Sequence, residues 1–234
     1  MKLFSDRYKR LKIIIAQIWL CFLLCLIFNP SLVLADTPVP IDEVVRALQQ
    51  TYEKTQDFKA GFIQQTTIQS IKKTETEEGT VFFKNPKNML WDYSQPKKKK
   101  LVINPRKAWL YLPQEKVAYT QESDHMFKSR TLIKFLSGLG KLKDDFSIKY
   151  AETKASDKQG NYLLVLTPLE KTPALHPFQV TVDKNTFLIL QISFEDALGN
   201  ATLLKFSNIA TNTGLSEKMF QFKPPAGVSI FNMP

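Results

Sequence analysis

The sequence predicts an all-β domain: about ten antiparallel strands in a sheet that curls on itself, with two or three short amphipathic helices plugging or covering the opening. Three observations predict it. Turn signals built from Asn, Pro, Asp and Gly recur at intervals of roughly 8–12 residues. The segments between them are short and rich in β-branched and aromatic residues, and many alternate apolar with polar positions. Helical spacing is found in only two or three short stretches, too few to cover so many strands, so the sheet has to close on its own face.

The first 35 of the 234 residues read as a leader rather than as part of this domain. Lys2, Arg7, Lys9, Arg10 and Lys12 form a basic start, and the 16-residue run Ile13 to Phe28 is apolar except at Gln17. Val33-Leu34-Ala35 places small or modest residues before a cut after Ala35, the pattern of a secretory signal peptide. The run is shorter than the ~20 residues of a spanning helix, and an uncleaved anchor is the other reading of it. Cys21 and Cys25 both lie in the leader, and neither has the context of a lipidated cysteine. Residues 36–234 are therefore expected to be one exported domain with no disulfide and no cysteine-held metal. The leader takes five of the 32 basic and one of the 22 acidic residues, so 27 and 21 remain, a charge of +6. Export removes nucleic acid as a partner. An anionic membrane surface, an acidic protein face, or simple solubility each fit such a charge.

After the linker Thr37-Pro38-Val39-Pro40, the residues Ile41, Val44, Val45, Leu48 and Tyr52 form one helical stripe. Asp42 and Glu43 sit in the first turn, where the helix dipole favours them. Phe58, Ala60 and Phe62 share one side of the first strand, continued by Gln64 and Thr66. Residues 70–78 read as a polar connection. Gly79 opens a hairpin, Val81 to Lys84, turning at Asn85-Pro86-Lys87-Asn88. Its second strand sets Met89, Trp91 and Tyr93 on one face and Leu90, Asp92 and Ser94 on the other. Lys97 to Lys100 precede a short strand, Leu101 to Ile103. Asn104-Pro105-Arg106 turns into Ala108 to Leu112, with Trp109 and Tyr111 on one face, and Lys116 to Thr120 follows. Leu132, Ile133 and Leu136 match helical spacing, stopped by Gly138 and Gly140. Strands resume at Phe146 to Tyr150, Tyr162 to Thr167, Phe178 to Val182 and Leu188 to Phe194, and Leu204 and Phe206 are expected to close the sheet.

The ordered set of a leader, an amphipathic helix, Phe58-x-Ala60-x-Phe62-x-Gln64, Gly79, Lys84-x-Pro86, Trp91-x-Tyr93-x-x-Pro96, Trp109-x-Tyr111 and Phe220-x-Phe222-x-Pro224-Pro225-x-Gly227-Val228 resembles the periplasmic outer-membrane lipoprotein carrier proteins, the LolA family. The stretch around FLSGLGKLKDDF is similar to that family's middle helices and following strand. The resemblance spans almost all of residues 36–234. It implies an incomplete antiparallel β-barrel of about ten or eleven strands around an apolar cavity, closed by a helical lid. It implies acylated lipoproteins as cargo, an inner-membrane ABC transporter as donor and, often, an outer-membrane receptor lipoprotein as acceptor. It implies a periplasmic monomer with no cofactor, no metal and no catalytic residue. Two departures stand out. In the best-studied branch an arginine precedes the hairpin proline and is tied to one-way handover; here that place is Asn85. An Asp-Gly turn usual between the next two strands is replaced by Asn104-Pro105.

On this reading Phe62, Met89, Trp91, Tyr93, Leu101, Ile103, Trp109 and Tyr111 line the cavity wall. Leu48 and Tyr52 from the first helix, with Leu132, Ile133 and Leu136 from the second, face them. An ordinary filled core is the other reading of the same residues. Asn85 and Lys97, Lys98, Lys99 and Lys100 are the candidate handover and docking positions, the lysines otherwise being a solvated hairpin tip. Catalysis has little to rest on. His125 and His176 lack a carboxylate or cysteine partner at metal spacing, no nucleophile elbow, P-loop or dinucleotide fingerprint occurs, and Asp144-Asp145 reads as a turn. A periplasmic lipid- or lipoprotein-sensing domain on the same fold is the alternative function.

Overall fold

The computed structural model describes residues 39–123, 142–170 and 176–233. The leader, the helix expected around Leu132, Ile133 and Leu136, and His125 lie outside the described residues.

Helix α1 (Ile41–Lys54) begins behind Pro40, whose carbonyl accepts from the Glu43 amide at 2.9 Å. Asp42 and Glu43 complement its N-terminal dipole and Lys54 its C-terminal one. Val44, Val45 and Leu48 are buried, so the stripe read from the sequence is the face that packs. At the other end Thr55 closes the helix, its hydroxyl donating to the Thr51 carbonyl at 2.7 Å.

Among the described residues, twelve strands form one sheet: β1 (Asp57–Ile68), β2 (Lys73–Lys84), β3 (Asn88–Gln95), β4 (Lys99–Ile103), β5 (Lys107–Leu112), β6 (Val117–Glu122), β7 (Phe146–Tyr150), β8 (Tyr162–Pro168), β9 (Phe178–Val182), β10 (Ile189–Glu195), β11 (Ala201–Thr211) and β12 (Ser229–Asn232). A single turn of helix, α2 (Leu142–Asp145), leads into β7. The order across the sheet is β12-β6-β5-β4-β3-β2-β1-β11-β10-β9-β8-β7. The sheet is not closed: β12 and β7 are its two ends. The expected incomplete barrel is thus the observed architecture, with three adjustments. Residues 73–78 are strand rather than connection, because β2 pairs with β1 along its whole length, from Lys73 opposite Ile68 to Lys84 opposite Asp57. The strand holding Leu204 and Phe206 does not close the sheet. It lies in the middle, between β1 and β10, and joins the two halves. The twelfth strand pairs in parallel with β6, so the sheet is not wholly antiparallel.

The concave face is apolar. Phe58, Ala60, Phe62, Val81, Phe83, Met89, Trp91, Ile103, Leu164, Leu166, Phe178, Val180, Val182, Ile192 and Leu204 are buried there in one cluster with Val44, Val45 and Leu48 of α1. Each of the larger aliphatic and aromatic side chains contributes roughly 2 kcal/mol by leaving water. Part of the convex face is also covered. Leu90 and Val102 turn outward and pack against Phe220 of a short 3-10 helix, Glu217–Phe220, flanked by Leu215 and Phe222. This strap is anchored at Asp57. The Asp57 carboxylate accepts from the Thr213 amide at 2.7 Å, the Thr213 hydroxyl at 2.9 Å, the Gly214 amide at 2.9 Å and the Leu215 amide at 3.2 Å. Lys84 Nζ donates to the Leu215 carbonyl at 2.7 Å and Asn104 Nδ2 to the Phe220 carbonyl at 3.2 Å.

One turn occurs twice. In Asp157-x-x-Gly160-Asn161 and Asp196-x-x-Gly199-Asn200, the aspartate accepts from the amides two and four residues on and from the asparagine side chain. Both glycines have φ near +80°, at +85° and +77°, which a Cβ would strain.

Candidate functional site

The site is the concave face, where Tyr52 of α1 lies beside β1, β10 and β11 and the aromatic residues of β3 continue the same apolar cluster. Its centre is a group of four aromatic rings from three strands. Phe62 meets Trp91 edge-on at 4.9 Å and Tyr93 edge-on at 5.0 Å. Trp91 approaches Phe206 at 6.3 Å. These are favoured separations for aromatic pairs. They arise because β2, lying between β1 and β3, presents no side chain at Gly79. Gly79 is paired with Phe62 on one side and Tyr93 on the other, and the two rings meet across it.

The structure brings most of the sequence-predicted wall together. Leu48, Phe62, Met89, Trp91 and Ile103 are buried in the concave cluster, and Tyr52, Tyr93 and Leu101 are half-buried against it. Two residues do not belong with them. Met89 pairs with Ile103 and Trp91 with Leu101, while Val102 pairs with Trp109 and Lys100 with Tyr111. Directly opposed residues share a face, so Trp109 and Tyr111 stand on the convex side. There they contact Phe222 of the strap at 5.6 and 5.2 Å. This corrects the expectation that they share a wall with Trp91. Leu110 takes the place on the concave face. The alternation around Trp109 is apolar on both sides, so nothing within that strand distinguishes them.

Beneath α1, a narrow crevice is lined by Tyr52, Phe58, Ala60, Ile189, Phe206 and Ile209, with space of about 10 Å³, no more than one water. The Tyr52 hydroxyl closes one end and accepts from the Ile189 amide at 3.3 Å. Burial pushes the Tyr52 phenol up to about 12 against the pull of that hydrogen bond, so it stays neutral. Further along, the face becomes polar. Tyr93 donates to Gln64 at 3.4 Å, and Thr66 and Thr202 meet at 3.3 Å.

Polar contacts fasten α1 at its rim. Gln49 Oε1 accepts from the Leu142 amide at 2.7 Å, Lys143 pairs with Asp42 at 2.7 Å, and Tyr150 donates to the Val39 carbonyl at 2.6 Å. The Asp42 carboxyl is held below its usual range by the Lys143 hydrogen bond and charge, but the pair is exposed and adds little.

Asn85 is engaged in the fold. Its side chain donates to the Thr55 carbonyl at 2.9 Å and its amide to the Gln56 carbonyl at 2.8 Å, tying the β2–β3 turn to the end of α1. The four lysines divide. Lys99 reaches Glu77 at 2.6 Å and lies 4.2 Å over the Tyr93 ring, and Lys100 pairs with Asp92 at 3.1 Å. Lys97 and Lys98 are exposed in the turn before β4. Among the described residues, no group of three or more His, Cys, Asp or Glu is placed to hold a metal, and no helix is long and apolar enough to cross a membrane.

Sequence reading missed Val81, Phe83 and Phe206 as parts of the wall. Their alternation is legible, but only cross-strand pairing places them beside Trp91. It also missed Asp57, whose one local signal is a lone acid at the head of a strand.

Residues 53–223 match the family described as outer membrane lipoprotein carrier protein LolA. The chain is similar to the outer-membrane lipoprotein carrier protein of Methylococcus capsulatus, 26% identical over 185 residues, covering 79% of this chain and 85% of that one. It is 24% identical over 194 residues to the corresponding protein of Nitrosomonas europaea, covering 82% of this chain and 91% of that one. The fold resembles an uncharacterised conserved protein from Thermus thermophilus, with a TM-score of 0.53 at 14% identity, covering 82% of this chain and 99% of that one.

Proposed function

This chain belongs to the LolA family of outer membrane lipoprotein carrier proteins, and from that premise we propose that it is a periplasmic chaperone that shields lipoprotein acyl chains on their way to the outer membrane. The observation that carries this is the concave face: a continuous apolar surface in an unclosed sheet, with Val44, Val45 and Leu48 of α1 buried in the same cluster. An acyl chain gains about 0.8 kcal/mol per methylene taken out of water, so a carrier needs apolar area and no reaction chemistry. Residues 1–35 export the protein, and the domain that follows does the carrying.

Among the described residues, the crevice under α1 has almost no free volume. Loading therefore means that α1 moves off the sheet and acyl chains take the place of Val44, Val45 and Leu48 in the apolar cluster. Cargo that binds only the open arrangement shifts the population toward it. The Asp42–Lys143 and Tyr150–Val39 contacts at the rim of α1 are exposed, which keeps the difference between the two arrangements small.

The donor is the inner-membrane lipoprotein-releasing ABC transporter, and the acceptor is the outer membrane or a receptor lipoprotein in it. Lys97 and Lys98 offer two exposed charges for docking on an acidic face, whereas Lys99 and Lys100 are already paired. Changing Lys97 and Lys98 together to Glu should slow transporter-dependent loading several-fold at low salt and leave thermal stability unchanged. Unaltered loading would remove them from the docking surface. The overall reading is tested by mass spectrometry of the protein isolated gently from the periplasm. Acylated lipoprotein should travel with it, and consistently empty protein would sink the proposal.

A further inference from the structure

We propose that the acyl-binding face runs out to the open edge of the sheet along one cross-strand row, Trp91, Leu101, Leu110, Tyr119 and Phe231, and that one acyl chain lies along it with its head group outside Phe231 and its tail at Trp91. The proposal rests on the carrier reading above and adds a place, a direction and a length to it. Each step of the row is a direct pair: Trp91 with Leu101, Leu101 with Leu110, Leu110 with Tyr119, and Tyr119 with Phe231 across the parallel β6–β12 pair. The five therefore face the same side of the sheet.

Exposure rises along the row. Trp91 is 7% exposed, the three residues between are half-buried, and Phe231 is 51% exposed. The Phe231 ring lies 5.9 Å from Tyr119. Its strand is tied at both ends, by the Ser229 amide to the Lys116 carbonyl and the Met233 amide to the Thr120 carbonyl, each at 2.9 Å. Met233, on the same face two residues on, packs back against the core. Phe231 is thus held in place with an apolar surface in solvent.

The occupant follows from the dimensions. Four strand-to-strand steps of about 4.8 Å span roughly 19 Å, about the length of an extended sixteen-carbon chain. The width is that of a single row. The direction follows from solvation: a polar head group stays in water, and the wet end of the row is Phe231. The first methylenes then lie on Phe231 and Tyr119 and the terminal ones reach Trp91.

The test uses fatty acids of eight to twenty carbons, with binding read from displacement of anilinonaphthalene sulfonate. Wild-type affinity should rise with each added methylene to about sixteen carbons and then level off. F231S should weaken every length by a similar factor, about fivefold, and F231L should restore binding. In a W109F background of residues 36–234, hexadecanoic acid brominated at its tail carbon should quench Trp91 emission, and the isomer brominated beside the carboxyl should not. If F231S binds every length as wild type does, or the two brominated acids quench equally, the row is not the path. F231S converting a dimer to a monomer with unchanged binding would assign the edge to a second copy and overturn the proposal. A wild-type protein that binds neither fatty acid nor lipopeptide would overturn the carrier reading itself.

Discussion

Replacing Gly79 by alanine lowers stability by about 3 kcal/mol or more, a fall in Tm of roughly 6–12 °C for a domain of this size. The cause is backbone proximity. A Cβ at Gly79 would collide with the Asp92 carbonyl oxygen and come within 2.9 Å of the Tyr93 Cα. Neither is the free end of a side chain, so neither can swing away. The strand pair can relieve the clash only by separating, and separation pulls Tyr93 and Trp91 away from Phe62. The same substitution should therefore weaken binding of apolar ligands as well as stability. Urea and thermal unfolding check the first effect and dye binding the second. A loss below about 1 kcal/mol would mean that β2 and β3 tolerate a wider spacing at Gly79 than the register implies.

Asp57→Asn is expected to cost about 3 kcal/mol at neutral pH, and the cost should disappear in acid. Burial raises the Asp57 carboxyl, but hydrogen bonds from Thr213, Leu215 and Gly214 outweigh it, and the net value lies below the ordinary carboxylate range. A group depressed in the folded state stabilises fully above its unfolded value, near 3.9, and loses that contribution as pH falls through the folded value. Wild type should therefore lose stability below about pH 4 while the variant changes less, so that their unfolding midpoints converge. Parallel acid limbs for the two proteins would show that Asp57 is not the titrating group. Because Asp57 anchors the strap, the variant should also expose Leu90, Val102 and Phe220 and release residues 213–222 to proteolysis before global unfolding.

The two positions differ in how far the sequence announced them. Gly79 stands at the mouth of a hairpin with Met89, Trp91 and Tyr93 alternating beyond it. Helical spacing and period-two alternation with polar residues on the other face are local signals, and they agree with α1 and with most of the strands. Asp57 and the strap are tertiary features. Phe220 and Phe222 have no periodicity that says where they pack, and Pro224-Pro225 reads only as a break. Because the strap buries the convex side, Leu90, Val102 and Trp109 are as apolar as their concave neighbours. Alternation then cannot say which face of β5 is inside, and Trp109 and Tyr111 were assigned to the wrong one. The parallel strand β12 was missed for a related reason: four residues with two exposed apolar side chains carry too little pattern to be read without a partner. The repeated Asp-x-x-Gly-Asn turn, in contrast, is visible in the sequence and marks two tight connections unambiguously once its hydrogen bonds are known.

The central claim is that the concave face receives acyl chains when α1 moves aside. It is tested most directly by titrating residues 36–234 with a synthetic triacylated lipopeptide and with the same peptide lacking its acyl chains, following Trp91 emission in a W109F background. The account predicts saturable binding of the acylated peptide, a changed Trp91 environment and no binding of the bare peptide. Equal binding of both peptides, or none with Trp91 unmoved, would contradict it.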